Sequence, residues 1–318
     1  MKISVAIAAY CGEKFIAEQL ESLAAQTRVP DEVIICDDSP DDLTEIAVRP
    51  LAEKLGIRYF RNPGQLGVNR NFEKAISLCS GDIIFLCDQD DVWLPEKISK
   101  MSRIFENDPA VSGVFCDSLV SDEDLQPCGF SLWQMRGFSP AMQKKFNSGR
   151  QLEVFLKRVT CSTHNIAIRR SVLKNALPFP YLDPFYADTF FGLLLASSGS
   201  WKAVSEKLTL YRVHANNLSS PKLANLREQA ALSRKARQKS ALRRTAELGG
   251  ELLERLPDDT APEIRNKIEN FCRHYSVRNS YSGNIFIRTV QVIREIFTLS
   301  YSRCSNGWKS VAADIFLF

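Results

Sequence analysis

The first 90 residues alternate between short apolar, β-branched runs and segments whose apolar residues recur at helical spacing. The runs lie at 3–10, 32–36, 57–61 and 83–87, and the helical segments lie at 13–26, 43–55 and 71–78. Apolar runs that alternate with amphipathic helices are typical of a parallel sheet covered by helices on both faces. The sequence therefore predicts an α/β fold with a mostly parallel central sheet flanked by helices.

The rest of the chain divides at about residue 221. Strands are predicted at 111–116, 165–168 and 208–213, with a helix at 188–196, whereas 117–149 is polar and irregular. Residues 223–255 are helix formers, and the break at 256–259 precedes a second helical stretch. We predict a sheet domain at 1–221 and a basic helical C-terminal region at 222–318.

The last 35 residues contain an amphipathic helix with a basic edge. Phe286, Val290, Ile293 and Phe297 share one face of it. Two interpretations stay open at this point: the apolar stripe packs on the main domain, or it contacts a membrane surface.

Charge is unevenly distributed along the chain. Residues 1–221 carry 24 basic and 27 acidic side chains, whereas residues 222–318 carry 17 and 10. The acidic part suits a cation site, and the basic part suits an anionic lipid surface, an acidic glycan or nucleic acid, or is a solvated helix pair. We predict no nucleic-acid partner.

Cysteine usage and apolar segment length bear on the compartment. The nine cysteines are an odd number without any C-x-x-C spacing, which indicates a reducing compartment and neither a zinc site nor a disulfide framework. No apolar run reaches the length of a membrane-spanning helix. We predict a cytoplasmic protein, peripheral at the inner face of the membrane if its tail binds lipid.

Acidic clusters follow two of the predicted strands, where ligands collect in open α/β sheets. Asp88 and Asp90 follow the fourth strand, and two carboxylates at this spacing suit Mg²⁺ bound to a substrate diphosphate. Asp37 and Asp38 follow the second strand, where a carboxylate can accept from the N3–H of uracil or thymine. Turns and helix caps rich in aspartate are the alternative for both clusters.

Taken together, these blocks resemble the opening of family 2 glycosyltransferases with the GT-A fold. The matching segments are SVAIAAY at 4–10, EKFI at 13–16, LESLAAQT at 20–27, DEVIICDDS at 31–39, GVNRN at 67–71 and GDIIFLCDQDDVW at 81–93. A further match at YADTFF (186–191), Gly199 and YRVHANN (211–217) resembles the rhamnosyltransferase-like subgroup. The resemblance extends to about residue 218.

The resemblance implies roles for the matching positions and a function for the chain. Tyr10 and Asp38 would hold the nucleotide base with Asp37 beside them, and Arg70 would lie near the donor phosphates. The metal ligands would be Asp90, Asp88 and His214, with Asp88 also facing the ribose, and the metal would be Mg²⁺ or Mn²⁺. The expected reaction is inverting sugar transfer from a UDP- or dTDP-sugar, such as a rhamnose donor, to a glycan or lipid-linked acceptor in surface polysaccharide synthesis.

The residues that match the acceptor-binding part of the family depart from its usual pattern. Asp188 matches the family's general base and Asp183 is the fallback, but Ala187 stands where many members have a second carboxylate. No Q-x-x-R-W motif is present, which favours the addition of one sugar per encounter.

Two other functions compete with sugar transfer. A sugar nucleotidyltransferase would need a Gly-rich, basic loop after the first strand, and residues 10–14 fit this poorly. A non-catalytic nucleotide-binding relative is disfavoured because Asp88, Asp90 and Asp188 are all present. Of the other histidines, His164 and His274 are expected to have structural roles.

Overall fold

The computed structural model describes residues 1–182, 187–215, 217 and 234–316. Within these residues, nine strands belong to one sheet. They are β1 (Ile3–Ala9), β2 (Glu32–Asp37), β3 (Ile57–Arg61), β4 (Ile83–Cys87), β5 (Val92–Trp93), β6 (Val111–Ser121), β7 (Pro127–Ser131), β8 (Ile166–Arg169) and β9 (Ser200–Arg212). Their order is β3-β2-β1-β4-β8-β6-β9-β5, and β7 pairs with β6.

The first half of the sheet is parallel and the second half is mixed. Strands β1 to β4 pair in parallel, as predicted from their apolar runs. Beyond β4 the pairs β4–β8, β6–β8, β6–β7 and β5–β9 are antiparallel, while β6–β9 is parallel. The α/β class and the helical extension are therefore confirmed, with fewer parallel pairs than the first 90 residues indicate.

Helices cover both faces of this sheet. The α-helices are α1 (Ile16–Ala24), α2 (Leu43–Val48), α3 (Val68–Leu78), α4 (Lys97–Asn107), α5 (Leu132–Arg136), α6 (Pro140–Lys145), α7 (Gln151–Phe155), α8 (Leu173–Ala176), α9 (Ala187–Ser198), α10 (Arg234–Arg255), α11 (Pro262–Asn279), α12 (Ile285–Phe297), α13 (Ser300–Cys304) and α14 (Trp308–Phe316). Helices α1 and α4 pack on one face of the sheet, and α3, α7 and α9 pack on the other. Alternate residues of β1 divide between the two cores, with Val5 and Ile7 in one and Ala6 in the other, as the strand period of two requires.

The C-terminal helices share a core with the sheet domain. Leu252 of α10 and Ile268 and Phe271 of α11 belong to the same apolar cluster as Phe190 of α9. The predicted division between residues 221 and 222 lies outside the described residues. The irregular stretch 117–149 contains the end of β6 together with β7, α5 and α6.

A buried carboxylate joins three strands at the amino-terminal end of the sheet. Glu32 begins β2 and accepts hydrogen bonds from Ser4 Oγ at 2.5 Å and from the backbone N–H of Ser80 at 2.6 Å. Ser4 Oγ also accepts from the backbone N–H of Gly81 at 2.8 Å. Burial acts to raise the pKa of Glu32, but the hydrogen bonds from Ser4 and Ser80 outweigh it and lower the pKa from 4.5 to about 2.

We expect Glu32→Gln to lower the free energy of unfolding at pH 7 by about 2 kcal/mol. A carboxylate whose pKa is depressed in the folded state stabilises the fold above its unfolded pKa, and this stabilisation disappears as pH falls from about 4.5 to about 2. Urea unfolding of both proteins across this range should show the difference shrinking towards acid. The exposed Glu53→Gln is the control, and a Glu32→Gln protein that matches the wild type at pH 7 would contradict the assignment.

Candidate active site

A cleft of about 600 Å³ opens at the carboxyl ends of β1 and β2. Its lining residues are Tyr10, Asp38, Ser39, Pro40, Arg61, Asn62, Pro63, Gly64 and Gln65. Asp38 is buried at the back of this cleft because it directly follows the last residue of β2. Tyr10 directly follows β1 and is half exposed. The two predicted base-contacting side chains therefore line one space.

The Asp38 carboxylate is held by three donors. Its Oδ1 accepts from Asn62 Nδ2 at 2.6 Å, and its Oδ2 accepts from the backbone N–H groups of Leu66 at 3.1 Å and Gly67 at 2.8 Å. A carboxylate offers about four acceptor positions, so the donors in the described part of the chain leave one position on Oδ1 for a ligand. The site thus suits a ligand that presents a single N–H donor.

Asp37 lies beneath the cleft and does not line it. Its Oδ1 accepts from the N–H and the hydroxyl of Ser39 at 2.9 and 2.5 Å, and its Oδ2 accepts from the Tyr59 hydroxyl. Burial and this hydrogen bond raise the pKa of Tyr59. Both oxygens of Asp37 therefore stabilise the turn that presents Asp38, and its predicted contribution beside the base stays a prediction.

Gln89 connects the cleft to the acidic cluster after β4. Its side-chain amide accepts from the backbone N–H of Tyr10 at 2.9 Å and donates to the carbonyl oxygen of Tyr10 at 2.9 Å. A Cβ at Gly12 would lie 2.4 Å from Gln89 Oε1, so a side chain there would displace the Gln89 amide from Tyr10. The carboxyl ends of β1 and β4 are thereby fixed next to each other.

The strand β9 brings His214 to Asp90. Because β9 pairs with β5, the residues that follow it run alongside the turn after β4. His214 Nε2 lies 2.9 Å from Asp90 Oδ2, and the His214 ring packs on Phe15 at 4.7 Å between centroids. Arg212 also donates to the carbonyl oxygen of Asp90 at 2.8 Å. Two of the three predicted metal ligands are therefore in direct contact.

Asp88 lies in a cluster of like charges. Burial raises its pKa to about 7, and the negative charges of Asp90 and Asp188 act in the same direction, although Thr163 Oγ1 donates to its carboxylate at 3.0 Å. The effect of Asp188 on Asp88 means that the predicted general base lies within electrostatic reach of the predicted metal ligands. Such a cluster is stabilised when a cation neutralises it.

Two further residues of this cluster were not predicted as site residues. Asp91 is buried, with Oδ1 accepting from the backbone N–H of Arg212 at 2.9 Å and Oδ2 without a hydrogen-bond partner among the described residues. His164 Nδ1 lies 3.8 Å from both Asp88 Oδ2 and Asp91 Oδ2. Burial raises the pKa of Asp91 well above its usual range, with contributions from Asp90 and Asp88, and lowers that of His164 well below.

His164 is positioned from its other side by buried polar groups. Its Nε2 lies 3.0 Å from Ser118 Oγ, and its ring stacks on Tyr211 at 4.8 Å between centroids. Its carbonyl oxygen accepts from the buried Lys97 ammonium at 2.6 Å. No sequence spacing signals this arrangement, because His164 lies on a turn far along the chain from Asp88.

Two overlapping sets of side chains offer ligand atoms to a divalent cation. One is the predicted set of Asp88, Asp90 and His214, and the other is Asp88, Asp91 and His164, whose ligand atoms all lie within 4.8 Å of one another. Oxygen-rich sets of this kind suit Mg²⁺ or Mn²⁺. Asp91 Oδ2, which has no hydrogen-bond partner among the described residues, and the clustered negative charges around Asp88 both fit side chains that bind a cation.

Asp188 lies in the first turn of α9. Its Oδ1 accepts from the N–H of Thr189 at 2.6 Å, and burial raises its pKa against the opposing charge of Arg136. A carboxylate with a raised pKa is a stronger base than an exposed one. The fallback candidate, Asp183, lies outside the described residues.

Arg70 is anchored on the α3 side of the sheet. Its guanidinium pairs with Glu73, donates to the carbonyl oxygen of Phe179 at 3.1 Å and lies 4.5 Å from the centroid of the Tyr181 ring. Its predicted position near the donor phosphates stays a prediction.

Among the described residues, no helix has both the length and the apolar character that a membrane span requires.

The chain is similar in sequence to known glycosyltransferases. The model of the family described as "Glycosyl transferase family 2" matches residues 4–177, which is more than half of the chain. The Escherichia coli protein WfaP, a UDP-Glc:alpha-D-GlcNAc-diphosphoundecaprenol beta-1,3-glucosyltransferase, is 31% identical over 233 residues, covering 72% of this chain and 84% of WfaP.

Two solved structures are similar in fold. S. aureus TarS 1-349 in complex with UDP-GlcNAc superposes with a TM-score of 0.62 at 18% identity, over 92% of this chain and 81% of that chain. The mannosyltransferase PcManGT from Pyrobaculum calidifontis, in complex with GDP-Man and Mn²⁺, gives a TM-score of 0.52 at 13% identity, over 99% and 84%. At these identities the two structures bear on the fold alone.

Proposed function

The chain belongs to glycosyl transferase family 2, and from that premise we propose that it transfers a sugar from a UDP- or dTDP-sugar to a hydroxyl of a lipid-linked saccharide, with inversion, in surface polysaccharide synthesis. The observation that carries this proposal is the connection made by Gln89. It fixes the cleft that contains Asp38 next to the carboxylates that follow β4, so one nucleotide diphosphate can reach both.

The donor base is proposed to bind at Asp38. The remaining acceptor position on its carboxylate fits the N3–H of uracil or thymine, and the half-exposed Tyr10 is proposed to pack on the base. Cytosine has no hydrogen at N3 and cannot make this bond. The loss of one hydrogen bond to a charged group weakens binding by about 1.5–3 kcal/mol.

The diphosphate is proposed to lie against a cation held by Asp90, Asp88 and His214. A cation held by these side chains would supply positive charge to offset the developing charge of the departing diphosphate. The chain's own contribution is to hold the ligands: Arg212 fixes the backbone at Asp90, and Phe15 packs on His214. The name of WfaP includes UDP-Glc, which supports a nucleotide-sugar donor without deciding which sugar this chain uses.

The acceptor hydroxyl is proposed to lose its proton to Asp188. The hydroxyl oxygen attacks the anomeric carbon from the face opposite the diphosphate, the bond from that carbon to the diphosphate oxygen breaks, and the configuration inverts. The name of WfaP includes a diphosphoundecaprenol-linked acceptor, which supports a lipid-linked saccharide here. A nucleotidyltransferase is disfavoured because residues 10–14, directly after β1, do not form the Gly-rich, basic loop that would hold a triphosphate.

We expect UDP to bind about tenfold or more tightly than CDP, because uracil carries the N3–H and cytosine does not. Thermal shift with UDP, dTDP, CDP and GDP, each with Mn²⁺ or with EDTA, measures this directly. A ligand at a hundredfold excess over its Kd stabilises the protein by about 2.7 kcal/mol.

The same panel tests the proposed base contact. Asp38→Ala should remove the preference for UDP and dTDP, whereas Asp41→Ala, an exposed aspartate of the same loop, should keep it. Equal stabilisation by UDP and CDP in the wild type would reject Asp38 as the base contact. Release of the nucleoside diphosphate from the preferred sugar donor then separates an enzyme from a non-catalytic binder.

A further inference from the structure

Helix α12 has an apolar face outside and charged residues inside, which is the reverse of an ordinary surface helix. Its outward face carries Phe286 and Phe297, which are 81% and 82% exposed, together with Val290 and Ile293, which are 51% and 46% exposed. The sequence left open whether this stripe packs on the main domain, and the structure excludes that packing within the described residues. A monomeric soluble protein rarely exposes a contiguous apolar face of this kind.

The inward face of α12 is held by polar contacts. Arg288 is buried and donates to the carbonyl oxygens of Ser282 at 3.0 Å and Ile315 at 2.9 Å. Glu295 is buried and accepts from His274 Nδ1 at 2.8 Å and from Arg273 at 3.2 Å. Turning the helix to bury its apolar stripe would break these charged contacts, so the outward orientation is fixed.

The exposed charges of the segment that begins with α12 have one sign. Between residues 285 and 316, the exposed charged side chains are Arg294, Arg303 and Lys309. The two carboxylates of the segment, Glu295 and Asp314, are buried, and Asp314 is paired with Arg278 at 2.6 Å. The outer surface of the segment is therefore apolar and cationic, with its negative charge on the inside.

A basic cleft lies at the end of the same helix. The cleft has a volume of about 440 Å³ and is formed where α13 and α11 meet the α6–α7 region of the sheet domain. It is lined by five basic side chains against two acidic ones; the basic residues are Lys145, Arg150, Lys157, Lys267 and Arg303. Thr298, which directly follows α12, also lines this cleft. Basic side chains thus occur both in the segment that begins with α12 and in this cleft.

We propose that the outward face of α12 inserts into the interfacial layer of a bilayer that contains anionic phospholipid. Apolar side chains on one face of a helix with cationic neighbours suit the acyl boundary and the anionic headgroups respectively. A second copy of the chain fits less well, because a two-fold contact through this face would bring Arg294 of each copy towards the same like-charged surface. If the proposed function is right, this docking brings the active site to a lipid-linked acceptor, but the surface is argued from the C-terminal helices alone.

Sedimentation of the full chain with vesicles tests the surface. We expect binding to phosphatidylglycerol vesicles at low salt, weaker binding to phosphatidylcholine vesicles, and a loss of about tenfold or more in the partition coefficient for Phe286→Ser/Phe297→Ser. Arg294→Gln/Arg303→Gln/Lys309→Gln should reduce binding to phosphatidylglycerol vesicles and leave binding to phosphatidylcholine vesicles unchanged. Met135→Ser, at a 60% exposed residue of the sheet domain, is the matched control and should bind as the wild type does.

Two results would overturn the proposal. One is a Phe286→Ser/Phe297→Ser protein that partitions as the wild type does. The other is a wild type that does not bind vesicles but forms dimers, together with a Phe286→Ser/Phe297→Ser protein that is monomeric. This result would assign the face to a second copy. Nucleotide binding in solution, measured on the double variant, is expected to be unchanged, so failure here is distinct from failure of the proposed enzyme activity.

Discussion

Asp188→Asn is expected to lower kcat for sugar transfer by about 10²–10⁴-fold while leaving the Kd for the nucleotide sugar unchanged. The amide keeps the size and the hydrogen bond from the N–H of Thr189, but it cannot accept the proton of the acceptor hydroxyl. An interaction made only in the transition state affects kcat and kcat/KM equally. Steady-state transfer rates and donor titrations on the same preparation measure both quantities.

Asp183→Asn is the comparison that the sequence provides for this experiment. If Asp183→Asn loses transfer and Asp188→Asn retains the full rate, the base assignment is wrong. If Asp188→Asn loses donor affinity as well as transfer, this carboxylate instead supports the metal-binding cluster, because its negative charge acts to raise the pKa of Asp88.

Asp90→Asn is expected to weaken Mn²⁺-dependent nucleotide binding by more than about 100-fold. The substitution removes a charged ligand atom from the predicted site and leaves His214 without the carboxylate that lies 2.9 Å from its Nε2. The measurement is a calorimetric titration of UDP in excess Mn²⁺. Residual binding with EDTA should be the same in the variant and the wild type, because Asp38 and its cleft are untouched.

Asp91→Asn distinguishes the two sets of metal ligands. Burial already raises the pKa of Asp91, and a neutral side chain can keep the hydrogen bond from the N–H of Arg212, so folding should tolerate this substitution. We expect Asp91→Asn to retain Mn²⁺-dependent binding. If it abolishes that binding while Asp90→Asn does not, the cation binds at Asp88, Asp91 and His164 instead.

The parallel half of the fold could be predicted from the sequence because its signal is local. The runs that form β1, β2 and β4 are buried on both faces, and a helix follows each of them along the chain. The second half gives no such signal. Strand β9 begins at Ser200 with a partly exposed stretch, so only its apolar end was predicted as a strand, and its parallel pairing with β6 depends on contacts distant in sequence.

The candidate site was predictable where its residues lie at strand ends. Asp38, Asp88 and Asp90 directly follow or closely follow β2 and β4, and the sheet order places these ends on either side of β1. Asp91 follows the same strand end, but its proximity to His164 could not be predicted, because it depends on tertiary packing around a buried turn. The orientation of α12 was also undetermined, since amphipathic periodicity identifies two faces without saying which of them is outside.

We propose that the cleft at Asp38 and the carboxylates after β4 bind one ligand together. Calorimetric titration of UDP into the wild-type chain, once with Mn²⁺ and once with EDTA, tests it most directly. We expect one nucleotide per chain, a Kd at least about tenfold lower with Mn²⁺, and weaker binding in Asp38→Ala under both conditions. Affinity that is indifferent to the metal, or that survives Asp38→Ala unchanged, would contradict it.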